Sequence, residues 1–186
     1  MGEIRPKKRG RFKFVRALPD ITLRELLKIA EPGNELNPYS SEGLQWRNWL
    51  IFNLLLLCGL RRGEVLLLAT DSLKHDIDAD SGEVVYWLDV TNALDEETDA
   101  RVSRPSIKTE DSHRQVPVSE GLAELFGRYV DEYRVPSDDH AFLVTTKDGR
   151  PLSAESITAI FHSFDKALTP EAKTRFVKKT GGKKYV

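Results

Sequence analysis

Apolar residues recur at helical spacing along most of this chain, and they alternate in only two stretches. In "ITLRELLKIAE", Leu23, Leu26, Leu27 and Ala30 share one face, and Thr22 with Glu25 reads as a capping box. Residues 43–58 are apolar almost all round and predict a helix at the centre of the core, stopped by Gly59. A shorter helix, about Gly63 to Thr70, follows. Glu64 falls in its first turn, where a carboxylate complements exposed amides.

The period then changes. "SLKHDIDADSGEVVYWLDVTNA" predicts two strands joined at Asp80, Ser81 and Gly82. "NALDEETDARVSRPS" is polar and irregular, which predicts a long loop, and "HRQVPVS" a short strand. Pro117 cannot donate to a ladder, so that strand is expected at an edge. Residues 119–134 predict an amphipathic helix with Leu122, Leu125, Phe126 and Tyr129 inward. "AFLVTTKDGRPLS" predicts a strand and a tight turn at Asp148 and Gly149, and Ser153 caps a helix running to about Leu168. The tail begins as a short helix and ends in glycines and lysines. The expected fold class is α+β, mostly helical with a small antiparallel β-sheet inserted.

Composition adds limits. The 186 residues are 40% hydrophobic and 31% charged, the balance of a globular chain with one sizeable core. No apolar run approaches the length of a membrane span, and no secretory signal is read at the start. The single cysteine, Cys58, lies in an apolar run, and a reducing, cytoplasmic location is expected. The net charge of −1 hides an uneven distribution. Residues 1–16 form an extended basic arm carrying Arg5, Lys7, Lys8, Arg9, Arg11, Lys13 and Arg16 against Glu3. Residues 171–186 are similarly basic. Basic ends on an acidic body suggest contact with a polyanion.

Most chemical motifs fail. "DIDADSG" has the look of a calcium loop, but counted from Asp76 the glycine falls seventh and the twelfth residue is Trp87. It is read as a hairpin turn. "KKTGGKK" lacks the phosphate-loop pattern, and His75, His113, His140 and His162 show no metal spacing. No cofactor and no metal are expected. "CGLRRGEV" is different. A helix stop and an acid-capped helix explain Gly59 and Glu64, but not an arginine at the junction of two apolar helices. A guanidinium fixed at Arg61 and oriented by Glu64 is suited to clamp a phosphodiester. Lys108, before the short strand, is placed to donate a proton to a leaving oxygen.

"LLLLCGLRRGEVLLL", then a hairpin, then "KTEDSHRQVPVS", preceded by "LPDITLRELLKIAE", resembles the catalytic domain of tyrosine recombinases, the phage-integrase family. The resemblance covers about residues 17–168. It implies an integrase-like fold acting on double-stranded DNA in site-specific recombination and DNA integration. In that family a tyrosine attacks the phosphodiester, forms a covalent phosphotyrosine and releases a 5′ hydroxyl, without cofactors. By resemblance Arg61 is the first catalytic arginine, Lys108 the catalytic lysine and Glu64 the supporting carboxylate. Lys7, Lys8, Arg9 and Arg11 in the arm, together with Arg62, His113 and Arg114, are read as DNA contacts.

The family's later His-x-x-Arg segment has no counterpart here, and Tyr185 is read as an ordinary residue. Residues 17–186 are therefore expected to be a truncated catalytic domain, with residues 1–16 a basic arm or linker remnant. Alone, the chain is expected to be an inactive monomer; its parent would assemble with other recombinase protomers on DNA. The alternative is a non-catalytic DNA-binding or interaction module derived from an integrase.

Overall fold

The computed structural model describes residues 18–91, 99, 101 and 113–180, without the side chains of 179 and 180. The basic arm, most of the acidic loop, Lys108 and Tyr185 lie outside the described residues. The order is α1 (Asp20–Ala30), α2 (Glu42–Leu57), α3 (Arg62–Leu67), β1 (Leu73–Ile77), β2 (Val84–Val90), β3 (Arg114–Val118), α4 (Glu120–Arg128), α5 (Ala154–Ala167) and α6 (Pro170–Thr180). The class is α+β: among the described residues, six helices and one three-stranded antiparallel sheet. No helix of the described residues is long and apolar enough to cross a membrane.

Helix α2 is the axis of the core. Leu50, Ile51, Phe52 and Leu54 are buried along it, against Ile29 of α1, Leu66 of α3 and Ile157 and Phe164 of α5. Gly59 ends the α2 run at φ 61°, a left-handed conformation costly for other residues. Ser153 caps α5 as expected, its hydroxyl accepting from the Ser156 amide.

Four local expectations are corrected. The capping box at Thr22 and Glu25 does not form. Pro19 takes the cap with extended backbone, so α1 starts at Asp20 and both residues fall inside the helix. Thr22 Oγ1 instead donates to the Ala172 carbonyl (3.0 Å), and Glu25 accepts from the backbone and hydroxyl of Thr169 (3.0 and 2.7 Å). Both therefore hold α6 on α1.

Helix α3 ends at Leu67, short of Thr70, because residues 68–70 pair with 141–143 instead. The Leu143 amide donates to the Leu68 carbonyl (2.7 Å), and the Thr70 amide to the Ala141 carbonyl (2.9 Å). On the other partner, the expected strand is reduced to isolated bridges at Ala69–Phe142 and Thr145–Pro151.

Helix α4 stops at Arg128 and continues as a π-helical turn, Tyr129–Tyr133. The widened turn accommodates two demands at once. Tyr129 is buried, while Tyr133 stacks on Trp46 at 5.4 Å and donates to Glu42 (2.8 Å).

The sheet order is β1-β2-β3, which leaves Pro117 on an edge strand opposite Trp87. The turn between β1 and β2 is built as the sequence suggested. Asp78 Oδ1 accepts from the Asp80 and Ser81 amides and the Ser81 hydroxyl, and Gly82 has φ 72°. Register decides what each face carries. Leu88 and Val90 point into the core, and Val90 stands opposite Arg114. Side chains alternate along a strand, so Arg114 projects from the core face of β3 with Val116 and Val118.

Candidate anion-binding site

The site begins at the junction of α2 and α3. After Gly59 the chain turns, Leu60 is buried, and Arg61 is extended (φ −77°, ψ 156°) as the residue before α3. The first amides of a helix lack intrahelical partners, and a carboxylate three residues into the helix can reach back to the cap. Glu64 does so: its Oε2 accepts the Arg61 backbone N–H at 2.7 Å. Its Oε1 accepts one guanidinium nitrogen of the same arginine at 3.1 Å.

A second arginine arrives from the sheet. Arg114, on the core face of β3, places its two terminal nitrogens on the two oxygens of Glu64, each at 3.0 Å. Four donors thus converge on one carboxylate. The Glu64 side chain is only 4% exposed, against 38% for Arg114 and 77% for Arg61. The Arg114 hydrogen bonds are the main reason the Glu64 carboxyl is held below the usual carboxylate range, with the Arg61 amide adding to them and burial opposing. The pair correspondingly raises the affinity of Arg114 for its proton.

The geometry sorts the two arginines. Arg114 is spent on Glu64 through a bidentate fork, the strongest mode of arginine–carboxylate pairing. Arg61 gives Glu64 one side-chain nitrogen and presents the rest of its guanidinium to solvent. The Arg61 guanidinium is the more exposed of the two. Arg62 lies beside it, exposed, with one nitrogen donating to Thr158 Oγ1 on α5 (2.6 Å). His113 is exposed just before β3. The structure therefore brings Arg61, Glu64, Arg62 and Arg114 together. It gives Arg114 a carboxylate partner where the sequence suggested a DNA contact. Lys108, Lys7, Lys8, Arg9 and Arg11 lie outside the described residues.

A buried ion pair that the sequence did not predict packs against α3. Asp99 and Arg101, read as loop residues, are buried. Arg101 donates to both Asp99 oxygens (2.8 Å from Nε to Oδ1, 2.6 Å from a terminal nitrogen to Oδ2). It also donates to the carbonyls of Leu66 and Leu152 (3.0 and 3.3 Å) and stacks on Phe142 at 4.3 Å. Leu66 and Glu64 both belong to α3, so Arg101 and Arg114 both donate to this helix. No local signal in the sequence marks this anchor, since Arg101 and Arg104 stand in the same polar stretch.

A separate groove of about 630 Å³ lies between α2 and α4, lined by Trp46, Trp49, Leu57, Leu122 and Leu125, with Arg128 over Trp46 at 5.0 Å. It shares no residue with the arginine cluster. No group of three or more His, Cys, Asp or Glu side chains among the described residues is placed to hold a metal. In comparisons with known proteins, no protein family, curated protein or solved structure matches the chain.

Proposed function

We propose that this chain is part of a tyrosine-recombinase catalytic domain that grips the phosphodiester of double-stranded DNA. The observation that carries the proposal is Arg61: an exposed guanidinium whose backbone and one side-chain nitrogen are fixed by a buried carboxylate, at the position the integrase-like segment "GLRRGE" assigns to a catalytic arginine. A group held in this way needs little reorganisation to meet a phosphate, which is where electrostatic stabilisation is most effective.

In this reading Arg61 neutralises charge that builds on the nonbridging oxygens during strand cleavage and rejoining. Lys108 protonates the leaving 5′ oxygen. Glu64 sets the position of Arg61, and Arg62 extends the positive surface along the DNA. The sequence holds no His-x-x-Arg segment after residue 113. The chain by itself is therefore expected to bind DNA without forming a covalent adduct, and to act in recombination with the missing groups supplied by a more complete domain.

The test is a titration of a DNA duplex by fluorescence anisotropy over a salt series, with the wild type, Arg61→Ala and a chain lacking residues 1–16. Phosphate contacts make affinity fall with salt. Both variants are expected to bind more weakly and with a shallower salt slope. Unchanged affinity and slope in Arg61→Ala would remove the basis of the proposal. If only the deletion matters, DNA is held by the arm alone, as the non-catalytic alternative has it.

A further inference from the structure

One carboxylate faced by one exposed arginine makes a neutral pair, and a neutral pair is a poor anion ligand. Left to itself, Glu64 would draw the Arg61 guanidinium into its own bidentate fork, the geometry both groups favour. The structure shows that fork occupied by Arg114, at 3.0 Å to each oxygen, while Arg61 keeps a single side-chain bond to Glu64. Resting on the anion-binding reading of Arg61, we infer that Arg114 is a positioning residue: it occupies and neutralises Glu64 so that Arg61 stays turned outward and available to a phosphate.

Three observations support this role over a direct DNA contact. The two terminal nitrogens of Arg114 are both committed to Glu64. Its position on β3, opposite the buried Val90, aims it under the sheet and toward α3. Its side chain is half as exposed as that of Arg61.

A charge-suppression experiment separates positioning from contact. Wild type, Arg114→Met, Glu64→Gln and the double variant Arg114→Met/Glu64→Gln are titrated with a DNA duplex, and their folding is checked by thermal melting. Positioning predicts that Arg114→Met weakens binding about fivefold, the factor of a strong exposed ion pair, and that adding Glu64→Gln restores it, because Arg61 then has no carboxylate to fold onto. Direct contact predicts that Glu64→Gln changes affinity by the same factor with or without Arg114, and that the loss persists in the double variant. That result would overturn the inference.

A measurement without DNA distinguishes this failure from failure of the DNA reading. Positioning predicts that the Arg61 Nε–Hε resonance of the free protein shifts and exchanges more slowly in Arg114→Met, as the guanidinium closes on Glu64. An unchanged resonance overturns the inference whatever the DNA result. A shifted resonance together with DNA affinity unaffected by Arg61→Ala upholds the positioning and rejects DNA as the ligand. Arg114→Lys keeps the charge without the fork and is expected to fall between wild type and Arg114→Met in both measurements.

Discussion

Glu64 and Arg114 stand fifty residues apart in the chain and meet through both oxygens of the carboxylate, each at 3.0 Å. The contact closes the sheet onto the helix that carries the exposed arginine. It also makes Glu64 serve two purposes: it caps α3 by accepting the Arg61 amide, and it receives a cation from β3. Stability and the proposed anion binding would therefore depend on one carboxylate, and variants around it should separate the two.

The first prediction concerns pH. The folded-state pKa of Glu64 is depressed by Arg114 and by the Arg61 amide, the two arginines being the charged groups that face it. A depressed carboxyl contributes stability above its unfolded value, ~4.3, and that contribution is lost as pH falls through the folded value. Glu64→Gln keeps the shape and removes the charge. It is expected to cost about 1 to 3 kcal/mol at neutral pH, with the gap to wild type closing below about pH 4. Urea denaturation of both proteins over a pH series is the check; a gap that stays constant to the acid limit would show that Glu64 does not carry this linkage.

Arg101 gives the largest expected stability loss. Arg101→Met removes the Arg101 side of the buried pair with Asp99 and the donor to the Leu66 and Leu152 carbonyls. Breaking one side of a buried pair costs about 3 to 5 kcal/mol. Asp99→Asn combined with Arg101→Met should cost less than the two single losses added, because both single variants lose the same pair. Chemical denaturation of the three variants measures this, and strict additivity would show that the two residues act independently.

The elements most legible in the sequence were those fixed by local rules. The apolar run of α2, its stop at Gly59, the turn at Asp80, Ser81 and Gly82, the edge position of Pro117 and the Ser153 cap each depend on a few neighbouring residues. Glu64 was also legible, since a carboxylate in the first turn has a local purpose. Its partner was not. Whether Arg114 faces core or solvent depends on the register of β3 against β2, and a shift of one residue would have turned it outward. Asp99 and Arg101 were hidden for a related reason. Charged residues in a polar stretch read as loop, and only tertiary packing against Phe142 and Leu66 buries them. The capping box at Thr22 failed because Pro19, three residues earlier, suits the last extended position equally well.

That misreading yields a further prediction. Thr22 is buried inside α1 and donates to Ala172 on α6. Thr22→Val preserves the volume and removes the donor. The expected loss is about 1 kcal/mol, concentrated where α6 docks, so amide exchange in residues 170–178 should speed up more than in α2. Uniform acceleration across the chain would mean that the threonine supports the whole core rather than the docking of α6.

The last prediction divides Arg61 itself. Its backbone N–H gives Glu64 the shortest of the four bonds, 2.7 Å, while its side chain is mostly in solvent. If the backbone holds the helix junction and the side chain holds the ligand, two substitutions should separate them. Arg61→Ala keeps the N–H, and its stability should stay within about 0.5 kcal/mol of wild type, since exposed ion pairs contribute little. Arg61→Pro fits the observed φ of −77° but removes the N–H. It should cost about 1.5 to 3 kcal/mol more than the alanine variant, the value of a hydrogen bond to a charged acceptor. Both lose the guanidinium, so both should bind a DNA duplex equally weakly once folded. Thermal melting and duplex titration on the same pair give the answer. If Arg61→Ala melts as low as Arg61→Pro and binds DNA like wild type, the guanidinium is a strut for α3, and an arginine at this junction needs no ligand to explain it.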